Sequence, residues 1–141
     1  MAKSKLNEWS LALLRAVLGV IFLYHGYLKL FVPGGFKGTI GFFTAIGIPL
    51  PAYAALVVSL VEFLGGLSLI LGMLTKWASV LLIIEMLVAF FKVHLKNGFL
   101  ISQSSYGYEF VLLILAGLVV VLGSGAGKLS LGKLFKSKHL Q

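Results

Sequence analysis

The chain has 141 residues, of which 60% are apolar and only 11% are charged, and its mean hydropathy is +1.06. So few ionised groups cannot cover the surface of a soluble sphere of this size, which excludes a soluble enzyme, and the absence of cysteine excludes disulfides and thiolate metal ligands. The formal net charge is +8, but the lysines lie between and after long apolar stretches, so anionic lipid rather than nucleic acid is the expected counter-charge.

Four apolar stretches approach the roughly 20 residues that a membrane-spanning helix needs. They predict an all-α integral membrane protein, a bundle of four transmembrane helices that forms a single domain over residues 1–127. The predicted spans cover about 11–31, 52–74, 77–93 and 106–124. The third stretch is short, but Lys92 and Lys96 have long apolar stems that can lie along the hydrocarbon while their ammonium groups reach the interface.

The segment between the first two predicted spans is rich in glycine and phenylalanine. Apolar residues recur in it at helical spacing, and Gly47 followed by Pro49 is a typical helix stop. This pattern predicts a short interfacial helix over Phe36–Ile48. Two interpretations stay open for it, a connector that lies on the lipid headgroups and a lid over an interior cavity.

The distribution of lysine predicts the orientation, because positive flanks are retained on the cytoplasmic side. Four spans put both termini on the same side as Lys76, and that side collects most of the lysines. The opposite side holds Lys29, Lys37, Lys92 and Lys96. We therefore expect a multi-pass protein of the cytoplasmic membrane with both termini in the cytoplasm, and residues 128–141 as a basic cytoplasmic tail.

Each predicted span carries an ionisable residue, although such residues are costly in hydrocarbon and normally face the bundle interior. On the first helix Arg15, His25 and Lys29 lie on one stripe, since steps of three and four residues through Leu18 and Phe22 connect them. On the second helix Glu62 shares its face with small residues, which lets a neighbouring helix approach closely. These small residues are Ala55, Ser59 and Gly66.

Residue counts along the spans place several of these groups near one another. Glu62 and Glu85 are both about 15 Å from the outer end of their helices, while His25 and Glu109 lie in the outer half. The counts predict one polar cavity lined by these four residues, in which the two deeper carboxyl groups share a proton. Arg15 is deeper, but its long side chain can extend to the midplane, so a structural ion pair between Arg15 and Glu62 is expected.

A metal centre is not expected. The sequence has no His-x-x-x-His motif and no acidic cluster at ligand spacing. Haem ligation by His25 and His94 is disfavoured because their predicted depths differ by about 7 Å.

A series of short motifs follows in order along most of the chain. It comprises Arg15, Gly19, Phe22, His25-Gly26-x-x-Lys29, Gly47-Ile-Pro49, Glu62-x-x-Gly65-Gly66-x-x-x-x-x-Gly72, Glu109 and Gly123-x-Gly125-x-Gly127-Lys128-Leu-Ser130-Leu131. The order and spacing of these motifs resemble those of the DoxX-like family of small four-helix membrane proteins, which includes the DoxD-type subunits associated with thiosulfate–quinone oxidoreductases. The chain departs from the family in its last motif, where Gly132 stands in place of the usual aspartate.

The resemblance implies a prokaryotic membrane protein linked to quinone-dependent oxidation of sulfur compounds or to oxidative-stress assemblies. From it we expect a redox-associated accessory subunit of a membrane oxidoreductase rather than a stand-alone enzyme. A quinone would bind at the cavity of His25, Glu62, Glu85 and Glu109, and a redox partner protein would work beside it. Two alternatives stay open: a non-catalytic membrane scaffold, and a small proton-coupled transporter that acts as a homo-oligomer.

Overall fold

The computed structural model describes residues 2–102, 106–127 and 129–134, with side chains from residue 7 to residue 132, and these residues are helical apart from turns and loops. The helices are α1 (Ala2–Phe31), α2 (Gly35–Ala45), α3 (Pro51–Leu71), α4 (Thr75–Ala89), α5 (Glu109–Ser124) and the single turn α6 (Leu131–Leu134). A π-helical turn (Phe90–His94) and a 3-10 turn (Leu95–Asn97) continue α4. Much of the predicted basic tail, residue 128 and residues 135–141, lies outside the described residues.

Three segments of the described chain are long and apolar enough to cross a membrane. They are Asn7–Phe31 in α1, Pro51–Leu71 in α3 and Thr75–Asn97, which joins α4 to its two following turns. Helix α5 is apolar but has 16 residues, or about 24 Å, less than the ~30 Å of a bilayer core. The prediction of an all-α membrane protein is confirmed, and a short helix does lie between the first two long helices.

Local sequence explains where the long helices begin and end. Helix α3 starts with Pro51, whose fixed φ and missing N–H suit the first helical position. It ends at Gly72, which adopts a left-handed φ of 71° and donates its N–H to the Ser68 carbonyl group. The turn to α4 is therefore tight, and α3 and α4 are antiparallel neighbours.

Helices α1 and α3 pack with their backbones in contact. A Cβ atom built on Gly26 would lie 2.4 Å from the Phe63 amide nitrogen, and one built on Gly66 would lie 2.3 Å from the Leu23 amide nitrogen. The small residues on the Glu62 face are buried, as the sequence pattern predicts. This packing sets the register of the two helices and thereby the level of their polar residues.

The bundle has a compact apolar core beside its polar residues. It joins α1, α3, α4 and α5 through Leu18, Phe22, Leu69, Leu82, Leu118 and Val121. Leu82 packs against Gly65, where an added Cβ would lie 3.3 Å from Leu82 Cδ1. Glu62 lies three residues before Gly65, and Glu85 lies three residues after Leu82. Since α3 and α4 are antiparallel, the contact between Gly65 and Leu82 puts the two glutamates at the same level.

The bundle has two ends, which differ in the residues they contain. The Lys29 end comprises the end of α1 with Lys29, helix α2, and the start of α3 at Pro51. The Arg15 end comprises the first half of α1 with Arg15 and the α3–α4 turn from Gly72 to Thr75.

Candidate functional site

The Glu62 carboxylate pairs with the Lys29 ammonium group. Nζ of Lys29 lies 2.5 Å from Oε2 of Glu62, and the two side chains are 23% and 8% exposed. In an α-helix the Cα–Cβ bond tilts toward the N-terminus, so Lys29, at the C-terminal end of α1, extends back toward the middle of the bundle. There it meets Glu62 in the middle of α3.

Glu85 completes a three-residue cluster that we call the acidic cluster: Lys29, Glu62 and Glu85. The Glu85 carboxyl group interacts electrostatically with both of the other members. Its Oε2 atom is buried and finds no hydrogen-bond partner among the described residues. Two carboxyl groups therefore lie beside one ammonium group, an arrangement that can hold a proton as well as an ion pair.

The expected Arg15–Glu62 ion pair is wrong. Arg15 is buried, as predicted, but its Nη1 donates to the Ala126 carbonyl oxygen and its Nη2 donates to the Leu129 carbonyl oxygen at 2.6 Å. The same N-terminal tilt that brings Lys29 to Glu62 directs Arg15 away from the midplane. The guanidinium group instead lies over Gly72, at the C-terminus of α3, where a cation is favoured by the helix dipole.

His25 lies outside the acidic cluster but lines a pocket next to it. This pocket, which we call the α1–α2 pocket, has a volume of about 380 Å³. Its walls are His25, Leu28 and Lys29 from α1 and Gly35, Gly38, Thr39, Phe42 and Phe43 from α2. Lys29 thus belongs to both features, and it is the residue through which the pocket reaches Glu62.

Glu109 does not join the predicted cavity. It is the first residue of α5, and its Oε1 accepts a hydrogen bond of 2.8 Å from the Ile101 amide nitrogen. The Glu109 amide nitrogen in turn donates to the Phe99 carbonyl oxygen at 3.0 Å. Glu109 therefore holds the loop before α5 against the helix N-terminus, where a carboxylate is also favoured by the helix dipole.

His94 has a similar structural role in that loop. Its Nδ1 atom lies 2.8 Å from the Tyr106 carbonyl oxygen, so this nitrogen carries the proton and donates it. Among the described residues no group of three or more histidine, cysteine, aspartate or glutamate side chains is arranged to hold a metal ion.

Of the four residues predicted to line one cavity, the structure brings Glu62 and Glu85 together in the acidic cluster. It places His25 in the neighbouring α1–α2 pocket. Sequence reasoning put Lys29 on the polar stripe but missed it as the partner of Glu62. The signal was available in the direction of helical side chains, which favours a cation nearer the C-terminus of α1 over Arg15.

The chain is similar in sequence to several known proteins. A Bacillus subtilis protein named "Putative oxidoreductase CatD" is 32% identical over 121 residues, which cover 86% of this chain and 84% of that protein. An uncharacterized protein of Haemophilus influenzae is 34% identical over 95% of this chain and 96% of its own length. An uncharacterized membrane protein of Mycobacterium tuberculosis is 33% identical over 88% of this chain and 80% of its own length.

No solved structure matches the chain. The profile of the DoxX family matches residues 10–95, a range that contains most of α1 and all of α2, α3 and α4, and with them the whole acidic cluster and the α1–α2 pocket. The chain is a membrane protein of the DoxX family.

Proposed function

We propose that this protein is a redox-associated membrane subunit that binds a quinone headgroup in the α1–α2 pocket. The observation that carries the proposal is the position of Lys29, which lines the pocket and at the same time pairs with the buried Glu62. A ligand in the pocket would therefore contact a group that is directly coupled to the two carboxyl groups of the acidic cluster.

The residues of the pocket suit a quinone. Phe42 and Phe43 offer aromatic surface to a flat ring, and His25 and Lys29 carry N–H groups that can donate to carbonyl oxygens. The pocket volume of about 380 Å³ is in the range of small-molecule sites. A pocket between two helices of an apolar bundle also gives a long lipid-soluble tail a route into the bilayer.

When bound, a quinone supplies chemistry that transfers two electrons and two protons. The chain supplies positions for the protons. Lys29 holds a proton at the wall of the pocket, and Glu62 keeps Lys29 in place through the 2.5 Å ion pair. Glu85 is the third member of the acidic cluster. Its buried Oε2 atom has no hydrogen-bond partner among the described residues and can accept a proton. Helix α2 supplies one wall of the pocket.

The relatives support a redox role at the level of their names. The Bacillus subtilis relative is named an oxidoreductase, and the Mycobacterium tuberculosis relative is named a membrane protein. The chain has no cysteine, so it has no thiol–disulfide pair that could exchange electrons. We therefore propose an accessory role beside a redox partner protein rather than a complete electron-transfer chain within this subunit.

We also infer that α5 crosses the membrane as the fourth span. All but one of its 16 residues are uncharged, and Val111, Ile114, Leu118 and Val121 are buried against the other helices. Four spans put both termini at the Arg15 end, together with Lys76 and the lysines of the tail. The positive-inside rule then makes the Arg15 end cytoplasmic.

Reporter fusions test this topology. Green fluorescent protein fused after Gln141 should fluoresce in bacterial cells, because it folds in the cytoplasm. Alkaline phosphatase fused after Asn97, at the Lys29 end, should be active, because it folds outside the cytoplasm. A Gln141 fusion that does not fluoresce, or an Asn97 fusion without phosphatase activity, would contradict a fourth span or the proposed orientation.

Quinone content tests the binding site. Protein extracted from native membranes in mild detergent should retain quinone, and His25→Ala and Glu62→Gln should each lower the quinone-to-protein ratio about tenfold or more. This loss corresponds to one hydrogen bond that involves a charged group, roughly 1.5–3 kcal/mol. The ratio is measured by solvent extraction and chromatography of protein that elutes as an intact bundle.

Lys37→Ala is the matched control for the quinone experiment. Lys37 is an exposed cation on α2 that does not line the pocket, so its removal should leave the quinone content unchanged. Wild-type quinone content in both His25→Ala and Glu62→Gln would remove the proposed site. An equal loss in Lys37→Ala would show that the effect comes from charge or expression rather than from the pocket.

A further inference from the structure

Four buried side-chain atoms have no hydrogen-bond partner among the described residues: Nε of Arg15, Oγ1 of Thr75, Oγ of Ser79 and Oε2 of Glu85. Buried polar atoms in proteins are nearly always paired, either with protein groups or with ordered water. A set of four such atoms therefore needs an explanation, and internal water is the usual one.

These atoms lie at successive levels along the bundle, and we call this series the line. Thr75 is the first residue of α4, at the Arg15 end, and Arg15 itself lies over Gly72, three residues earlier. Ser79 comes one turn later, and Glu85 is about 15 Å along the helix from Thr75. The line therefore runs from the Arg15 end to the acidic cluster.

Burial alone does not leave a hydroxyl group unpaired in this bundle. Ser59 on α3 is as fully buried as Ser79, with 0% exposure for both. The Ser59 Oγ atom nevertheless donates to the Ala55 carbonyl oxygen of its own helix at 2.6 Å. The Ser79 hydroxyl group makes no such bond to a described residue, so burial alone does not account for the difference between the two serines.

We call Leu82 the narrow point of the line. Leu82 lies between Ser79 and Glu85 and packs against Gly65. Its side chain is fully buried, so passage from Ser79 to Glu85 has to go around this leucine. Leu82 is thus placed to limit exchange between the Arg15 end and the acidic cluster.

We propose that water enters at the Arg15 end, occupies the line from Arg15 to Ser79 and reaches Glu85 past Leu82, so that Glu85 exchanges protons with that side of the membrane. The use of these protons rests on the proposed function, because quinone chemistry consumes or releases protons at the neighbouring pocket. The water line itself is independent of any quinone.

Accessibility of single cysteines tests the proposal, and the natural absence of cysteine makes the wild-type chain the background. Thr75→Cys, Ser79→Cys and Glu85→Cys are purified without quinone and treated with Ag⁺, a thiol-specific ion small enough for a narrow file. The thiols that remain free are then counted with a fluorescent maleimide after denaturation. We expect Ag⁺ to block Thr75→Cys and Ser79→Cys at least tenfold faster than Ser59→Cys, the matched dry serine.

A second arm addresses the narrow point. Adding Leu82→Ala should speed the blocking of Glu85→Cys at least tenfold and leave the rate for Ser79→Cys unchanged.

Equal rates for Ser79→Cys and Ser59→Cys would overturn the water line. A Glu85→Cys rate that does not respond to Leu82→Ala would overturn the connection past Leu82. If Glu85→Cys does not elute as an intact bundle, the serine comparison still decides whether water enters. None of these readouts depends on quinone content, so a failure here is distinct from a failure of the proposed function.

Discussion

Replacing Lys29 with methionine should lower the free energy of unfolding by about 3 kcal/mol. The change leaves the Glu62 carboxylate, which is 8% exposed, without its counter-ion inside the bundle. Breaking a buried ion pair costs about 3–5 kcal/mol, and we expect the lower end because Lys29 remains 23% exposed. The measurement is unfolding in mixed micelles of mild detergent and sodium dodecyl sulfate.

The double variant Lys29→Met with Glu62→Gln should recover most of this loss. Removing both charges of the pair leaves neither partner without its counter-ion, so the double variant is expected within about 1 kcal/mol of the wild type. Lys37→Met, which neutralises an exposed cation on α2, is the control for net charge and should change stability little. If the double variant is as unstable as the sum of the single variants, the two side chains do not act as a pair.

The same double variant separates the proposed function from the scaffold alternative. A scaffold needs Lys29 and Glu62 only to hold α1 against α3, so a stable double variant would keep everything the wild type does. A quinone site needs the Lys29 ammonium group at the pocket wall and the Glu62 carboxylate that holds Lys29 there. A double variant that folds well and loses quinone therefore favours the site over the scaffold.

The architecture was predictable because it follows from hydropathy and local stop signals. Apolar stretches of about 20 residues predict the long helices, and Gly72 and Pro51 act at helix ends in the way their backbone preferences require. The length of α5 was less predictable. The predicted fourth span begins at Tyr106, but in the structure Tyr106, Gly107 and Tyr108 belong to a loop that the Glu109 carboxylate and the His94 ring hold in place.

The site was predictable only in part, because residue counting gives depth but not side-chain direction. Counting places Glu62 and Glu85 at one level, and the contact between Gly65 and Leu82 agrees with it. Counting fails for Arg15, whose side chain extends toward the N-terminus of α1 and away from the carboxylates. The partners of Arg15 are backbone carbonyl groups more than 100 residues away in sequence, which no local pattern indicates.

The π-helical turn after α4 is a second feature that a regular period does not predict. A helical wheel at 100° per residue assumes an unbroken α-helix, whereas the turn Phe90–His94 shifts the phase of the residues that follow. His94 consequently faces the loop before α5 and bonds its backbone.

The register of α1 against α3 depends on glycine, and this dependence gives a second large effect. We expect Gly26→Ala to lower the free energy of unfolding by about 3 kcal/mol, because the new Cβ atom would lie 2.4 Å from the Phe63 amide nitrogen. The obstacle is backbone rather than a flexible side chain, so the helices have to separate, and Lys29 moves away from Glu62. Gly41→Ala is the matched control, since a Cβ atom at this α2 position meets nothing within 4 Å. It should leave stability unchanged or raise it by up to about 1 kcal/mol through better helix propensity. Unfolding of both variants in the same mixed micelles checks the contrast, and an equal stability for Gly26→Ala and the wild type would contradict close packing of α1 on α3.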